Sequence, residues 1–324
     1  MAYCLKNKIK KRWLKFLSTI IIISACASPL TSNYKWSIVT HSAEFNPGYN
    51  FSLLEFKDSI WLLNRQETWN SKDLKHWMRV NTDSAINSVF NKYVVFKNDL
   101  YAIGGSENWT EGTKKAVWKS IDGHKWEMLK IDLPWSSRAF HSCIVFQNKI
   151  WLIGGYDGKY LNDVWYSEDG QKWTLATAGA PWKGRCMHTL EIFNNKLYLI
   201  GGRRNMEGTI EKLFTDVWCT EDGINWQKAT GRTFSKRYSH ESIVFDNKLW
   251  VIGGSYFSPK NDSWFTEDGN TWHKELSNAP WSKRFGAVCI VRDNKLYLIG
   301  GKAGQGKFKN DVWQLVTKAS DIKE

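Results

Sequence analysis

The chain has 324 residues, 42% apolar and 15% aromatic, with 20 tryptophans and 24% charged residues. That supply of large apolar side chains excludes a disordered polypeptide, and the length suits one large domain or two ordinary ones. The formal net charge is +13, but six of the cations fall in residues 1–25, where no acid occurs, and the remaining +7 is scattered among acids without a basic run, which excludes a nucleic-acid partner.

Residues 1–15 are basic and residues 16–25 (FLSTIIIISA) are apolar, a run too short to span a bilayer and suited to a signal peptide. It ends in Ile23-Ser24-Ala25-Cys26, which resembles a bacterial lipobox. The resemblance implies that Cys26 is acylated, becomes the mature N-terminus and anchors the chain in a membrane of the cell envelope. Stable anchoring needs more than one acyl chain, which a triacylated cysteine supplies. Ala27 in place of Asp after Cys26 resembles the signal that sends such lipoproteins to the outer membrane. Residues 26–33 read as a polar tether.

From residue 34 the chain repeats with a period near 50, which points to solenoids, propellers or arrays. Gly-Gly pairs follow apolar strands at Gly104-Gly105, Gly154-Gly155, Gly201-Gly202, Gly253-Gly254 and Gly300-Gly301. A degenerate copy, Ile60 to Arg65, lacks both glycines. Each unit reads as four short strands. In residues 138–175 these are RAFHSCIVF, IWLIGG, NDVWYS and KWTLA, separated by Asn, Asp and Gly turns. Asp-Gly hairpin signals recur at Asp122-Gly123, Asp169-Gly170, Asp222-Gly223 and Asp268-Gly269. One tryptophan recurs on the third strand (Trp69, Trp118, Trp165, Trp218, Trp264, Trp313) and one on the fourth (Trp36, Trp77, Trp126, Trp173, Trp226, Trp272). Such side chains bury ~150–250 Å² each and are expected to fill the wedges between sheets rather than to bind ligand. The last unit stops at its third strand, Asp311 to Val316, and the missing fourth strand stands at the front as Tyr34 to Val39. The reading is an all-β, six-bladed propeller over residues 34–316, closed by its N-terminal strand, with a tail over 317–324.

The Gly-Gly pairs, the Asn-Asp-Val-Trp segments, the later tryptophan and the Arg-x-x-His before the first strand resemble the Kelch repeat. The resemblance covers about residues 34–316; units 3 to 5 match well, unit 6 lacks the His, unit 2 lacks Arg and His, and unit 1 is eroded. The Ser/Thr-x-Asp-Gly-x-x-Trp turns also resemble the Asp-box of sialidases, one residue shorter, and read as hairpin turns.

Arg138, Arg185, Arg237 and Arg284 each lie sixteen residues before the first Gly of a pair, with Gly48 and Ser88 at the equivalent places in units 1 and 2. Three residues on come His141, His188 and His240, with Phe51, Asn91 and Ala287 elsewhere. Two roles are open to these side chains: hydrogen-bonding backbone carbonyls between blades, or forming a positive pocket at the channel mouth, as the Kelch resemblance implies for the arginines. A guanidinium fork fits a carboxylate, so the pocket reading predicts an acidic ligand, a glycan or a peptide. Tyr156, Arg203, Arg204, Tyr256 and Lys302 stand on the connections expected to frame the same face. No HExxH, GxSxG or P-loop occurs, and no His, Asp or Glu cluster has metal spacing, so neither cofactor nor metal is expected. The alternative to a monomeric binding module is a sugar-active enzyme resembling Kelch-fold sialic acid mutarotases, with Glu191 or Glu241 as acid/base. Cys143, Cys186, Cys219 and Cys289 are expected as buried thiols, with a Cys186–Cys219 disulfide left open.

Overall fold

The structure is a computed structural model that describes residues 32–64, 67–80, 86, 88–108, 112–204 and 212–318. The expected signal peptide, the lipidation residue Cys26, most of the tether and the end of the tail lie outside the described residues.

Six four-stranded antiparallel sheets follow one another along the chain. Blade 1 contains Ser52–Phe56, Ser59–Leu63, Thr68–Ser71 and Met78–Val80. Blade 2 contains Lys92–Phe96, Asp99–Ile103, Val117–Ser120 and Glu127–Met128. Blade 3 contains Ser142–Phe146, Lys149–Tyr156, Tyr160–Ser167 and Trp173–Thr177. Blade 4 contains Thr189–Phe193, Lys196–Ile200, Val217–Thr220 and Gln227–Lys228. Blade 5 contains Glu241–Phe245, Lys248–Ile252, Ser263–Thr266 and His273–Leu276. Blade 6 contains Val288–Arg292, Lys295–Ala303 and Phe308–Thr317, and takes Tyr34–Thr40 as its outer strand. Tyr34 pairs with Thr317, Trp36 with Leu315 and Ile38 with Trp313. The first strands touch in a cycle, from blade 1 through blade 6 and back to blade 1, so the ring is closed.

Each second strand is apolar over the four positions after its first residue because it lies inside its sheet and is covered by a neighbouring blade on both faces. Leu197, Leu199 and Ile200, for example, are fully buried. Five turns between third and fourth strands share one design, seen at Asp169. The Ser167 hydroxyl accepts from the Gly170 N–H and donates to Asp169, whose carboxylate also accepts from the Gln171 and Lys172 N–H groups. Burial would raise the Asp222 carboxyl, but the equivalent hydrogen bonds outweigh it and hold it at about 2. The turn glycine is required twice over. Gly170 has φ +75°, and a Cβ there would lie 2.5 Å from the Tyr101 ring of the preceding blade. Blade 6 has no such turn, and Tyr34 fills the place instead: its ring meets Trp250 edge-on at 4.9 Å and its hydroxyl donates to Asp246 at 2.6 Å.

The fourth-strand tryptophans are buried as expected. Their partners went unread in the sequence. Phe45, Trp135, Trp182, Phe234 and Trp281, each three residues before the Arg position, are at most 2% exposed and pack edge-on against the tryptophan of the next fourth strand. Asn162, Asn261 and Asn310 hold these lead-in loops by donating to two of their carbonyls. The four described cysteines are free thiols, so no Cys186–Cys219 disulfide forms.

Candidate functional site

The four arginines do converge on one face, but inside the protein. Arg138, Arg185, Arg237 and Arg284 are at most 1% exposed. Each forms a bidentate pair with the aspartate two residues before the tryptophan of its own third strand. Arg185, for example, reaches the two carboxylate oxygens of Asp216 at 2.6 and 2.8 Å. Asp163, Asp262 and Asp311 serve Arg138, Arg237 and Arg284 in the same way. Each guanidinium also donates to the carbonyl of the first Gly in its pair, and the third-strand tryptophan donates its indole N–H to the same aspartate. Burial alone would raise the Asp216, Asp262 and Asp311 carboxyls, yet the arginines hold them below the usual range. The expectation that these arginines receive an external carboxylate is therefore corrected: the fold already supplies one to each.

The histidines also serve the frame. His141 is fully buried, and His188 and His240 are 3% exposed. Each His Cβ lies over the second Gly of its own blade, and its imidazole reaches the first Gly of the preceding blade. A Cβ on Gly104 would stand 2.7 Å from the His141 ring, which explains the double glycine. Burial, then the neighbouring arginine, pushes all three imidazoles down, His240 to about 3, so they stay neutral. The Nε2 of His240 lies 3.2 Å from the Thr189 hydroxyl. The three histidines thus fill wedges between blades, and they also stand in the lining of the channel cavity.

Immediately before each wedge, one residue per blade adopts positive φ: Asn50, Phe90, Phe140, Met187, Ser239 and Gly286. Five of these six are not glycine, and Phe90, Phe140 and Met187 are bulky, a costly choice that clusters at binding sites. Backbone hydrogen bonds join this rim from blade to blade, from Met187 to Phe140, Gly286 to Ser239 and Asn50 to Gly286. Phe90 and Phe140 lie face to face with ring centres 4.0 Å apart.

Around the rim runs an arc of aromatic rings. Phe308 stacks on Tyr49 at 5.4 Å, Tyr49 meets Phe285 at 5.9 Å, and Phe285 meets Tyr238 at 6.4 Å. Two cations sit on this arc: Lys302 over Tyr49 and Phe308, and Arg203 over Tyr238 at 4.6 Å. Tyr156 packs on Tyr160, while Tyr256 carries Phe257, which is 89% exposed at the tip of its own small hairpin. Arg204 is exposed beside Arg203.

Two cavities border the rim, and a further one of about 400 Å³ lies on blade 3 beside Tyr160 and Asp163. The channel cavity, about 180 Å³, is lined by first-strand residues of all six blades, including Lys92, Thr189 and Glu241. Burial raises Glu241 to about 7 against the pull of Lys92, and burial with the nearby Glu241 charge raises Glu191 to about 8. Among the described residues no group of three or more His, Cys, Asp or Glu is placed to hold a metal. The second cavity, about 390 Å³, lies between blades 1 and 2, where Gly48 and Ser88 stand in place of arginine. Its lining includes Tyr49, Phe90, Tyr93, Phe308 and Glu67, and no residue of it except those at the Arg and His positions had drawn notice in the sequence. Small-molecule sites typically enclose ~300–1,000 Å³, which the cleft reaches and the channel cavity does not.

The KLHDC2/KLHL20/DRC7 Kelch-repeats domain family matches residues 90–268 and 187–324. The solved structure of YjhT is similar in fold, with a TM-score of 0.71 and 17% identity over 86% of this chain and 97% of that one. No curated protein matches the chain in sequence.

Proposed function

This chain belongs to the Kelch-repeat family of β-propellers, and from that premise we propose that it is a binding module, anchored by acylated Cys26 in the cell envelope, that captures an acidic glycan at its channel mouth. The observation that carries the ligand class is the aromatic arc with Lys302 and Arg203 held on its rings. The C–H faces of a sugar ring are apolar and slightly positive, and they match the negative faces of Tyr49, Phe285 and Phe308. The two cations then pair with a carboxylate or sulfate on the same sugar.

An array of acidic and neutral glycans tests this reading. Binding restricted to acidic glycans and lost in Lys302→Ala with Arg203→Ala supports it; binding unchanged in that double variant sinks it. Palmitate labelling tests the anchor, because Cys26→Ala should abolish it. The outer membrane is the proposed location, resting on Ala27 after the cysteine.

A second reading keeps one observation in its favour. Glu241 and Glu191 have carboxyls raised into the range useful for proton transfer near neutrality. On that reading the channel cavity interconverts the anomers of an acidic sugar. NMR exchange rates of sialic acid anomers, accelerated by wild type and not by Glu241→Gln, would favour it.

A further inference from the structure

The repeat carries its own template for a second binding site. In blades 3 to 6 a carboxylate stands two residues before the third-strand tryptophan and receives a guanidinium from the loop before the first strand. Blade 1 keeps the carboxylate and has no arginine. Thr68 pairs with Leu63 as Val217 pairs with Ile200, so Glu67 stands at the Asp216 position. The backbone agrees, since the Glu67 carbonyl accepts from Asn64 N–H as the Asp216 carbonyl accepts from Gly201 N–H. At the arginine position blade 1 has Gly48, with no side chain at all.

We infer that the cleft between blades 1 and 2 binds a guanidinium group from outside, with the Glu67 carboxylate as its partner. Glu67 is 8% exposed and lines the cleft, and no cation pairs with it among the described residues. Among the described residues that line the cleft it is the only charged one. A buried carboxylate without a counter-charge is costly, and a ligand that supplies one gains accordingly. The tryptophan beside it tells the same story. In blades 3 to 6 the third-strand indole N–H donates to the aspartate, whereas the Trp69 Nε1 is buried without a partner. The longer Glu67 side chain has left Trp69 and turned to the cleft. The rings of Tyr49, Phe90, Tyr93 and Phe308 in the lining suit a flat, delocalised cation better than a compact ammonium. The cleft shares the rings of Tyr49 and Phe308 with the aromatic arc and its Lys302, whereas Arg203 of the arc lies on Tyr238, outside the cleft lining.

Isothermal titration of the full-length protein with methylguanidine, methylammonium and the capped peptide acetyl-Gly-Arg-Gly-amide tests the site. Methylguanidine should bind saturably at one site, with methylammonium at least about tenfold weaker. Glu67→Gln should weaken methylguanidine by at least about tenfold while its circular dichroism stays native. Arg203→Ala, on Tyr238 and outside the cleft lining, should leave methylguanidine binding unchanged even where it weakens glycan binding, so the two readings fail separately. Peptide binding as tight as methylguanidine identifies an arginine side chain as the source, and failure of the peptide alone identifies a small guanidino compound. The inference is overturned if wild type shows no saturation, if Glu67→Gln binds like wild type, or if methylammonium binds as well as methylguanidine.

Discussion

Blades 3 to 6 and blades 1 and 2 share one backbone plan and part at a single residue pair. On the first side every carboxylate two residues before a third-strand tryptophan is met by an arginine of its own blade. On the other side Gly48 and Ser88 replace arginine, Glu67 is left without a counter-charge, and a cleft of about 390 Å³ opens. Ala116 takes the carboxylate position in blade 2, so that blade lost both partners together. A repeat that supplies its own ligand is frame; a repeat that omits it has room for a guest.

The sharpest way to break this contrast is to make an arginine blade resemble blade 1. Arg185→Ala strands Asp216 in the interior and should cost about 3–5 kcal/mol in urea unfolding. A loss below about 1 kcal/mol would show that the pairs are not the frame.

A smaller effect comes from the channel, where Glu241 of blade 5 feels the charge of Lys92 of blade 2. Folded Glu241 keeps its proton to about 7, against 4.5 for the exposed group. Between those values the folded state binds more protons, so this contribution is complete below pH 4.5 and is lost as pH rises through 7. Glu241→Gln should therefore stabilise the protein more at pH 8 than at pH 5, by on the order of 1–2 kcal/mol with channel water screening the charge. The buried histidines act oppositely: His240 is held at about 3 against 6.5, so its contribution is lost as pH falls below 6.5. Equal gains from Glu241→Gln at both pH values would remove the acid from the account.

The smallest effect is expected at the cleft itself. Glu67→Gln removes a charge that nothing opposes, so Tm should hold or rise by the equivalent of less than about 1 kcal/mol. A drop as large as that of Arg185→Ala would show that Glu67 is frame after all.

The propeller was legible because its signals are local and repeated. Gly-Gly pairs, turn aspartates and paired tryptophans recur in register, and Trp36 at the front matched the strand missing from the end. Trp135, Trp182 and Trp281 escaped notice because they sit in loops, although each follows a proline three residues before its arginine. The arginine pairs were misread for a related reason. Asp163 and Asp311 were already visible in the Asn-Asp-Val-Trp segments, but they lie 25 and 27 residues beyond their partners, and spacing alone does not say that two such groups meet. Glu67 was hidden by erosion of the unit that carries it: without the glycines, its place in the repeat had no marker.

The pairing of Tyr34–Thr40 with Phe308–Thr317 makes the earliest part of the propeller to be synthesised the final part to find its place. More than two hundred residues must be made before that pairing is available, a high contact order that favours slow folding. During this wait the two unsatisfied edges are equivalent to those of any sister chain nearby, so crowded synthesis should yield exchanged dimers in which each copy closes the other.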